Sequence, residues 1–532
     1  MHTELLRAAR AAHLRRDWRA AYDAFTQAAE EAPLGTDDLD ALAMAAWHLG
    51  YGKESVRLTE RVFTQLARTD PPSAAMKAVE LSLAWLTRGD LNIAQGWMNR
   101  ARRLLDGAPE GPAHGYLAYL DAVMAAMTHD RALADRVEAM RELRSRLDNP
   151  ALTALGLVAE ALAAIGEARI GEAYALVDEA MLTVVADQVP VEWAGDIYCL
   201  LLNQWHRLAD FPRMHALTQS MERWCADFAA SKTLGGVCDV HRLQLRAAID
   251  DYRELEHRLV TTSQALEDVN TWAAGEGYYQ LGEVLRLRGD ADAALAAFER
   301  ARALGIDPQP GEALLHCQMG DAQKAWAEIR VALAQHDRLA RMRMLRGAVE
   351  IALARDDLDE ADRHCRGLEE GAKAFGTPGF RAWAAHARGA VMVRQGKYSD
   401  ALVALEAALV EYRVQKSRYD TAQVYEWMAL AHRGLGENDV AAADIATAQS
   451  IYDQLGVEPA GICGAESPGG LTKREIEILT AIAGGATNRQ VAQRIFISEK
   501  TVARHLANIY AKVGVSSRTA AVAWAHEHNL LK

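Results

Sequence analysis

A spaced triplet of one small, one large and one small residue recurs along this chain and constrains its fold more than any other feature. It reads Ala21/Phe25/Ala28, Ala94/Met98/Ala101, Ala173/Val177/Ala180, Ala294/Phe298/Ala301, Ala401/Leu405/Ala408 and Ala441/Ile445/Ala448. Steps of four and then three place all three residues on one face of a helix. Small side chains there let a second helix approach closely, and the large one fills the gap between them. A turn stands just ahead of most triplets: Gly89-Asp90, Gly289-Asp290, Gly396-Lys397 and Gly436-Glu437, with Gly320-Asp321 a further instance. Each unit is therefore expected to be a helix, a short turn and a second helix.

Composition agrees. Alanine, leucine and arginine dominate, aromatics make up only 7% and there are 13 prolines, which predicts an all-α protein. The strongest unit carries Gly275, Tyr278, Leu281, Gly282, Gly289, Ala294, Phe298 and Ala301, followed by Pro308. These positions resemble the tetratricopeptide (TPR) pattern, a helical hairpin of ~34 residues. The resemblance implies a TPR-like α-solenoid over residues 1–456, with roughly 11 to 13 hairpins at that pitch. In such an array each hairpin buries its face only against its neighbours and leaves a concave surface for partners. Residues 103–270 fit the register less well. Pro308 and Pro310 flank Gln309, so the first helix of the hairpin containing Gly320 is expected to be short.

Residues 471–532 have a different character. Thr472 with Glu475, and Thr487 with Gln490, are spaced as capping boxes, in which a hydroxyl accepts from the third helical amide and the later side chain reaches back. Ser498 is a third N-cap, and Gly514 a C-terminal glycine. The middle helices, about 488–494 and 499–513, are joined only by Ile495-Phe496-Ile497-Ser498, which makes a helix-turn-helix. The chain as a whole carries −13, yet residues 471–532 hold nine Lys/Arg and four Glu, a local +5, leaving −18 on the rest. Only the tail is suited to phosphates, and the acidic body is expected to be repelled by them. Between the two, 457–470 holds Pro459, Pro468 and four glycines and reads as a flexible linker.

The tail resembles the LuxR/GerE-type DNA-binding domain of bacterial transcription regulators. The likeness rests on Leu471-Thr472-Lys473-Arg474-Glu475, Thr487-Asn488, Val491-Ala492, Ser498-Glu499-Lys500-Thr501-Val502, His505, Asn508-Ile509 and Ser517-Arg518. On the long helix Val502, Leu506, Ile509 and Val513 form the core face, and Lys500, Ala503, Arg504, Ala507 and Ala511 the opposite stripe. The resemblance implies that 503, 504 and 507 point at base edges in double-stranded DNA. Arg504 would then read a guanine, with Ala503 and Ala507 against thymine methyls. Lys500, Thr501, His505, Asn508, Thr487, Asn488 and Arg518 are expected at phosphates. The resemblance also implies a homodimer formed through the last helix, with Val522 and Trp524 as contacts, and RNA polymerase as a partner. Trp524 has a competing place in the core of the monomer.

A TPR-like array followed by this domain resembles a group of LuxR-type regulators common in actinobacteria. Ile197-Tyr198-Cys199, Trp224-Cys225 and Arg286-Leu287-Arg288-Gly289-Asp290 are similar to that group. No phosphate-cradling Gly-x4-Gly-Lys-Ser/Thr run like that of its ATPase-bearing members is visible, and no receiver domain is expected. The array would then sense an effector, whether protein, peptide or small molecule. Six scattered cysteines, no leader-like N-terminus and no long apolar run predict a cytoplasmic protein without a membrane span. No cofactor, metal or catalytic constellation is expected; Cys238-x2-His241 has only a fragment of metal-ligand spacing. The alternative reading is a TPR scaffold whose tail serves dimerisation or binds another regulator.

Overall fold

The computed structural model describes residues 1–128, 130–227, 232–268, 270–335, 337–459, 471, 473–495, 499–528 and 530, without the side chains of 226, 227, 232–238, 473, 474, 500, 501 and 504. Among the described residues there are 28 helices and no strand. None of these helices is long and apolar enough to cross a membrane. The chain divides into two compact units, Met1–Glu458 and Pro459–Lys532.

The first unit is a run of 24 helices paired in sequence into antiparallel hairpins. One turn builds most of them. At the end of Pro71–Thr87 the Gly89 N–H donates to the Leu86 carbonyl (3.0 Å), and the Asp90 N–H to the Trp85 carbonyl (3.1 Å). This pattern satisfies carbonyls that a helix end otherwise leaves open, and it needs a left-handed residue, here Gly89 at φ +78°. Asp90 then accepts from the Ile93 N–H (3.0 Å) and so caps the next helix, Leu91–Leu105. One dipeptide thus closes one helix and opens the next. Asp17, Asp210, Asp290, Asp321 and Asp357 repeat the device, each accepting from the amide three residues on.

Glycine is not always the left-handed residue. Arg16, Ala209 and Asp356 take φ of 59°, 51° and 59° in the same place, a conformation that costs about 1–2 kcal/mol for a residue with a Cβ. Left-handed residues at 168, 209, 289, 356, 396 and 436 show a second departure from the sequence reading. The spacing is 41 residues from 168 to 209 and 40 from 356 to 396 and from 396 to 436, longer than the 34 of the tetratricopeptide pattern, whereas 16 to 50 spans 34, and 289 to 320 and 320 to 356 span 31 and 36. The extra length lies in the helices, which run to 17 and 18 residues in Pro378–Arg394, Tyr398–Gln415, Arg418–Gly434 and Asn438–Leu455.

The triplets are core. Ala21, Phe25, Ala28, Ala294, Phe298, Ala301, Ala401, Leu405 and Ala408 are all buried, while Ile445 is half-buried. Glycine on the facing helix admits the large residue: a Cβ on Gly282 would stand 2.4 Å from the Phe298 ring, and one on Gly389 2.5 Å from Leu405. Hairpins continue through 103–270. Their register is hard to read because helices such as Pro150–Gly166 are buried on nearly every side, which erases the apolar stripe. Behind Pro308 and Pro310 the helix Gly311–Gln318 has only eight residues, as expected.

The array also corrects the expectation that each hairpin touches only its neighbours. Thr377 Oγ1 donates to the Leu208 carbonyl (2.7 Å), the Phe211 N–H to Gln415 Oε1 (3.2 Å), the Arg418 N–H to the Ala248 carbonyl (3.0 Å) and the Glu458 N–H to the Leu287 carbonyl (3.2 Å). Lys53 pairs with Asp268 at 3.0 Å. The coil therefore winds tightly enough for one hairpin to meet another several places along. The physical reason is at the helix ends: the Leu208, Ala248 and Leu287 carbonyls follow or close helices, lack a partner in their own turn of helix, and find donors on the next coil. Val457 is buried and Glu458 is bonded in this way, so the first two residues of the expected linker belong to the array. Pro459 follows them, and 460–470 lie outside the described residues.

Truncating the large member of a triplet should leave a cavity that rigid flanking helices cannot close. Phe298→Ala is expected to destabilise the array by about 3–5 kcal/mol, read as a lowered urea midpoint; a loss below ~1 kcal/mol would contradict this packing.

Candidate nucleic-acid interface

The second unit contains the helices Lys473–Ala483, Asn488–Arg494, Glu499–Val513 and Arg518–Glu527. Ile478, Leu479, Ile482, Val491, Val502, Ile509, Ala521 and Ala525 form its core. The turn chemistry seen in the array recurs here. Gly485 (φ +83°) lets the Ala486 N–H reach the Ala481 carbonyl at 3.2 Å, and Gly514 (φ +70°) lets the Val515 N–H reach that of Tyr510 at 3.0 Å. Thr487 and Gln490 form the expected capping box: the Gln490 N–H donates to Thr487 Oγ1 (3.3 Å) and the Thr487 N–H to Gln490 Oε1 (2.8 Å). Ser517, which sequence reasoning had not assigned, caps the last helix by accepting from the Ala520 N–H at 3.2 Å.

These caps hold Glu499–Val513 with one face inward. Val502 and Ile509 are wholly buried and Leu506 nearly so, while Ala503, Ala507 and Ala511 are exposed. Two of the three residues expected to meet bases therefore stand on an open helix surface. The backbone of Arg504 lies in the same helix, three residues before Ala507; its side chain, with those of Lys500 and Thr501, is outside the described residues. So are Thr472 and Ser498. His505 and Asn508 are half-buried along the flank.

Two polar ties set the pose of this helix. Glu475, assigned from sequence to a cap with Thr472, is buried and accepts from Lys512 Nζ at 2.7 Å, joining the first helix to the last turn of the third. Arg518 Nη1 donates to Asn488 Oδ1 at 3.1 Å, and Nη2 to the Ala486 carbonyl. Asn488 and Arg518, both expected at phosphates, thus brace the start of the second helix against the fourth. Val522 and Trp524, expected at a dimer contact, are half-buried and pack on the core of their own unit, with Trp524 stacked on His528 at 4.1 Å between ring centroids. Sequence reasoning passed over Arg489, Gln493 and Arg494, which are exposed on Asn488–Arg494; the local charge of +5 was the signal that could have found them.

His241 is buried with Nδ1 3.1 Å from Gln244 Oε1, and burial pushes its imidazole down to about 4. The Cys238 side chain lies outside the described residues, and among the described residues no group of His, Cys, Asp and Glu is placed to hold a metal ion.

The Glu475–Lys512 tie is open to test. Lys512→Met removes the ammonium from a buried carboxylate and is expected to destabilise the second unit by about 1.5–3 kcal/mol, seen in thermal unfolding. An unchanged unfolding temperature would show that the tie holds nothing.

Residues 470–525 match the family described as bacterial regulatory proteins, luxR family. The transcriptional regulatory protein LiaR of Bacillus subtilis is 49% identical over 61 residues, 12% of this chain and 29% of that protein. The CsgBAC operon transcriptional regulatory protein of Escherichia coli is 48% identical over 58 residues, 11% of this chain and 27% of that protein. The response regulator protein VraR of Staphylococcus aureus is 47% identical over 62 residues, 12% of this chain and 30% of that protein. The chain therefore spans less than a third of the length of these relatives. Among solved structures, a chain of the APC/C hetero-tetramer Cut9–Hcn1 is similar at 14% identity over 86% of this chain and 96% of that one, with a TM-score of 0.41. The C-terminal unit is thus similar to the luxR family of bacterial regulatory proteins, and one chain joins it to an array of helical hairpins.

Proposed function

We propose that this chain is a cytoplasmic transcription regulator, in which the C-terminal helix-turn-helix reads promoter DNA and the array senses a signal. The observation that carries the reading is the helix Glu499–Val513: apolar residues bury one face, and on the opposite face Ala503, Ala507 and Ala511 are exposed. A helix so presented fits a major groove, and two alanines on it admit close approach to base edges. Arg504 is the base-reading residue, bidentate to a guanine, with Ala503 and Ala507 against thymine methyls. Lys500, Thr501, His505, Asn508 and Thr487 contact phosphates. Arg489 and Arg494 join them from the exposed side of the preceding helix, and the Asn488–Arg518 brace holds that helix at the backbone. A homodimer places two such helices on successive half-sites, and promoter-bound protein engages RNA polymerase.

Gel-shift titration of the full chain on promoter fragments tests this. Arg504→Ala is expected to weaken the cognate site by about 1–3 kcal/mol and to relax preference at one base pair. Lys500→Ala should weaken all sequences alike and reduce the slope of log affinity against log salt by about one. Equal binding by Arg504→Ala and wild type across operator variants would remove Arg504 from the readout. No shift at low salt would leave the scaffold reading in its place.

A further inference from the structure

The array holds a partly open cavity of about 290 Å³, close to the lower end of the sizes at which proteins hold small ligands. It is lined by the helices Thr36–His48, Gly52–Thr69 and Pro71–Thr87, and by Val191–Arg207, which stands far from them in sequence. The cavity thus exists only because the coil brings separate hairpins face to face.

Its walls are of two kinds. Trp47, Met44 and Met76 give it an apolar side, with the buried Trp193 behind them packed on Tyr116. Against these stand four carboxylates, Asp40, Glu80, Glu192 and Asp196, and two cations, Lys77 and Arg88. Lys77 Nζ is shared between Asp40 and Glu80, at 2.9 Å from each. Asp196 accepts from the Tyr119 hydroxyl at 2.8 Å. Arg88 lies 5.5 Å from the centre of the Trp85 ring. Among the described residues, half-buried Glu192 makes no ion pair and no hydrogen bond to another residue.

The acids outnumber the cations in a partly desolvated space, and their protonation shows it. Burial pushes Glu80 up to about 7 despite Lys77, and Asp196 up to about 6 despite the Tyr119 hydroxyl. Burial raises Glu192 as well, against the pull of its own backbone amide. A positive group entering the cavity would offset this penalty, and an aromatic face attracts such a group further.

We propose that this cavity binds a small organic cation, an amine carried on an aromatic or aliphatic body, with Glu192 and Glu80 receiving the ammonium and Trp47, Met44 and Met76 receiving the body. The inference gives a ligand class to the sensing half of the proposed function and so rests on that half alone. Its test uses no DNA, so its failure leaves the role of the tail standing, and a failure of DNA binding leaves the cavity untouched.

The experiment is isothermal titration calorimetry on the full chain with tryptamine, indole-3-ethanol and indole-3-propionate, which share a ring and differ in charge. Saturable binding of one equivalent of tryptamine is expected, with the neutral alcohol about tenfold weaker or worse and the anion silent. Glu192→Gln should weaken tryptamine by about tenfold and leave the alcohol unchanged. If Glu192→Gln does not fold, Met44→Lys makes the same test, because Met44 is an exposed lining position where an added ammonium should repel tryptamine to a similar degree. Absence of saturable tryptamine binding, equal affinity for all three compounds, or full affinity in the folded variants would overturn the proposal.

Discussion

Every helix end leaves amides or carbonyls that must find partners, and the way this chain satisfies them determines its shape. Within hairpins the solution is local: a left-handed residue followed by an aspartate closes one helix and caps the next, as at Gly89-Asp90 and Gly289-Asp290. Between coils it is distant, since the Leu208, Ala248 and Leu287 carbonyls are met by Thr377, Arg418 and Glu458. The second unit repeats the local solution at Gly485, Thr487, Gly514 and Ser517. There the caps fix the pose of the helix Glu499–Val513, where in the array they fix the pitch of a coil.

Charge divides the chain along the same boundary. The basic tail and the acidic remainder differ in sign, which suits one to phosphate and makes the other a poor neighbour for it. Inside the array the acidic excess is partly drawn into the coil, where Glu80, Glu192 and Asp196 stand beside one paired lysine. Winding the hairpins tightly thus forms a partly open cavity lined by more acids than cations.

Much of this was legible in advance, and the reasons are local. Thr487 three residues before Gln490, and an apolar stripe of Val502, Leu506 and Ile509 ending near Gly514, fix helices by contacts within a few residues. The small–large–small triplets are read the same way. What escaped was either disguised or distant. Arg16, Ala209 and Asp356 adopt the left-handed turn without the glycine that advertises it. Lys512 and Glu475 are 37 residues apart, and Thr377 and Leu208 are 169 apart, with no periodicity to announce either pair. Arg518 was expected at a phosphate; its Nη1 and Nη2 donate to Asn488 and Ala486, a pairing that only packing reveals.

The central claim is that the tail places this chain on specific DNA. Mapping its occupancy across the genome, for wild type beside Arg504→Ala, addresses that claim most directly. The account predicts discrete sites sharing a paired half-site motif in the wild type, with the motif degraded at one position per half-site in the variant. Uniform or absent occupancy in both would contradict it.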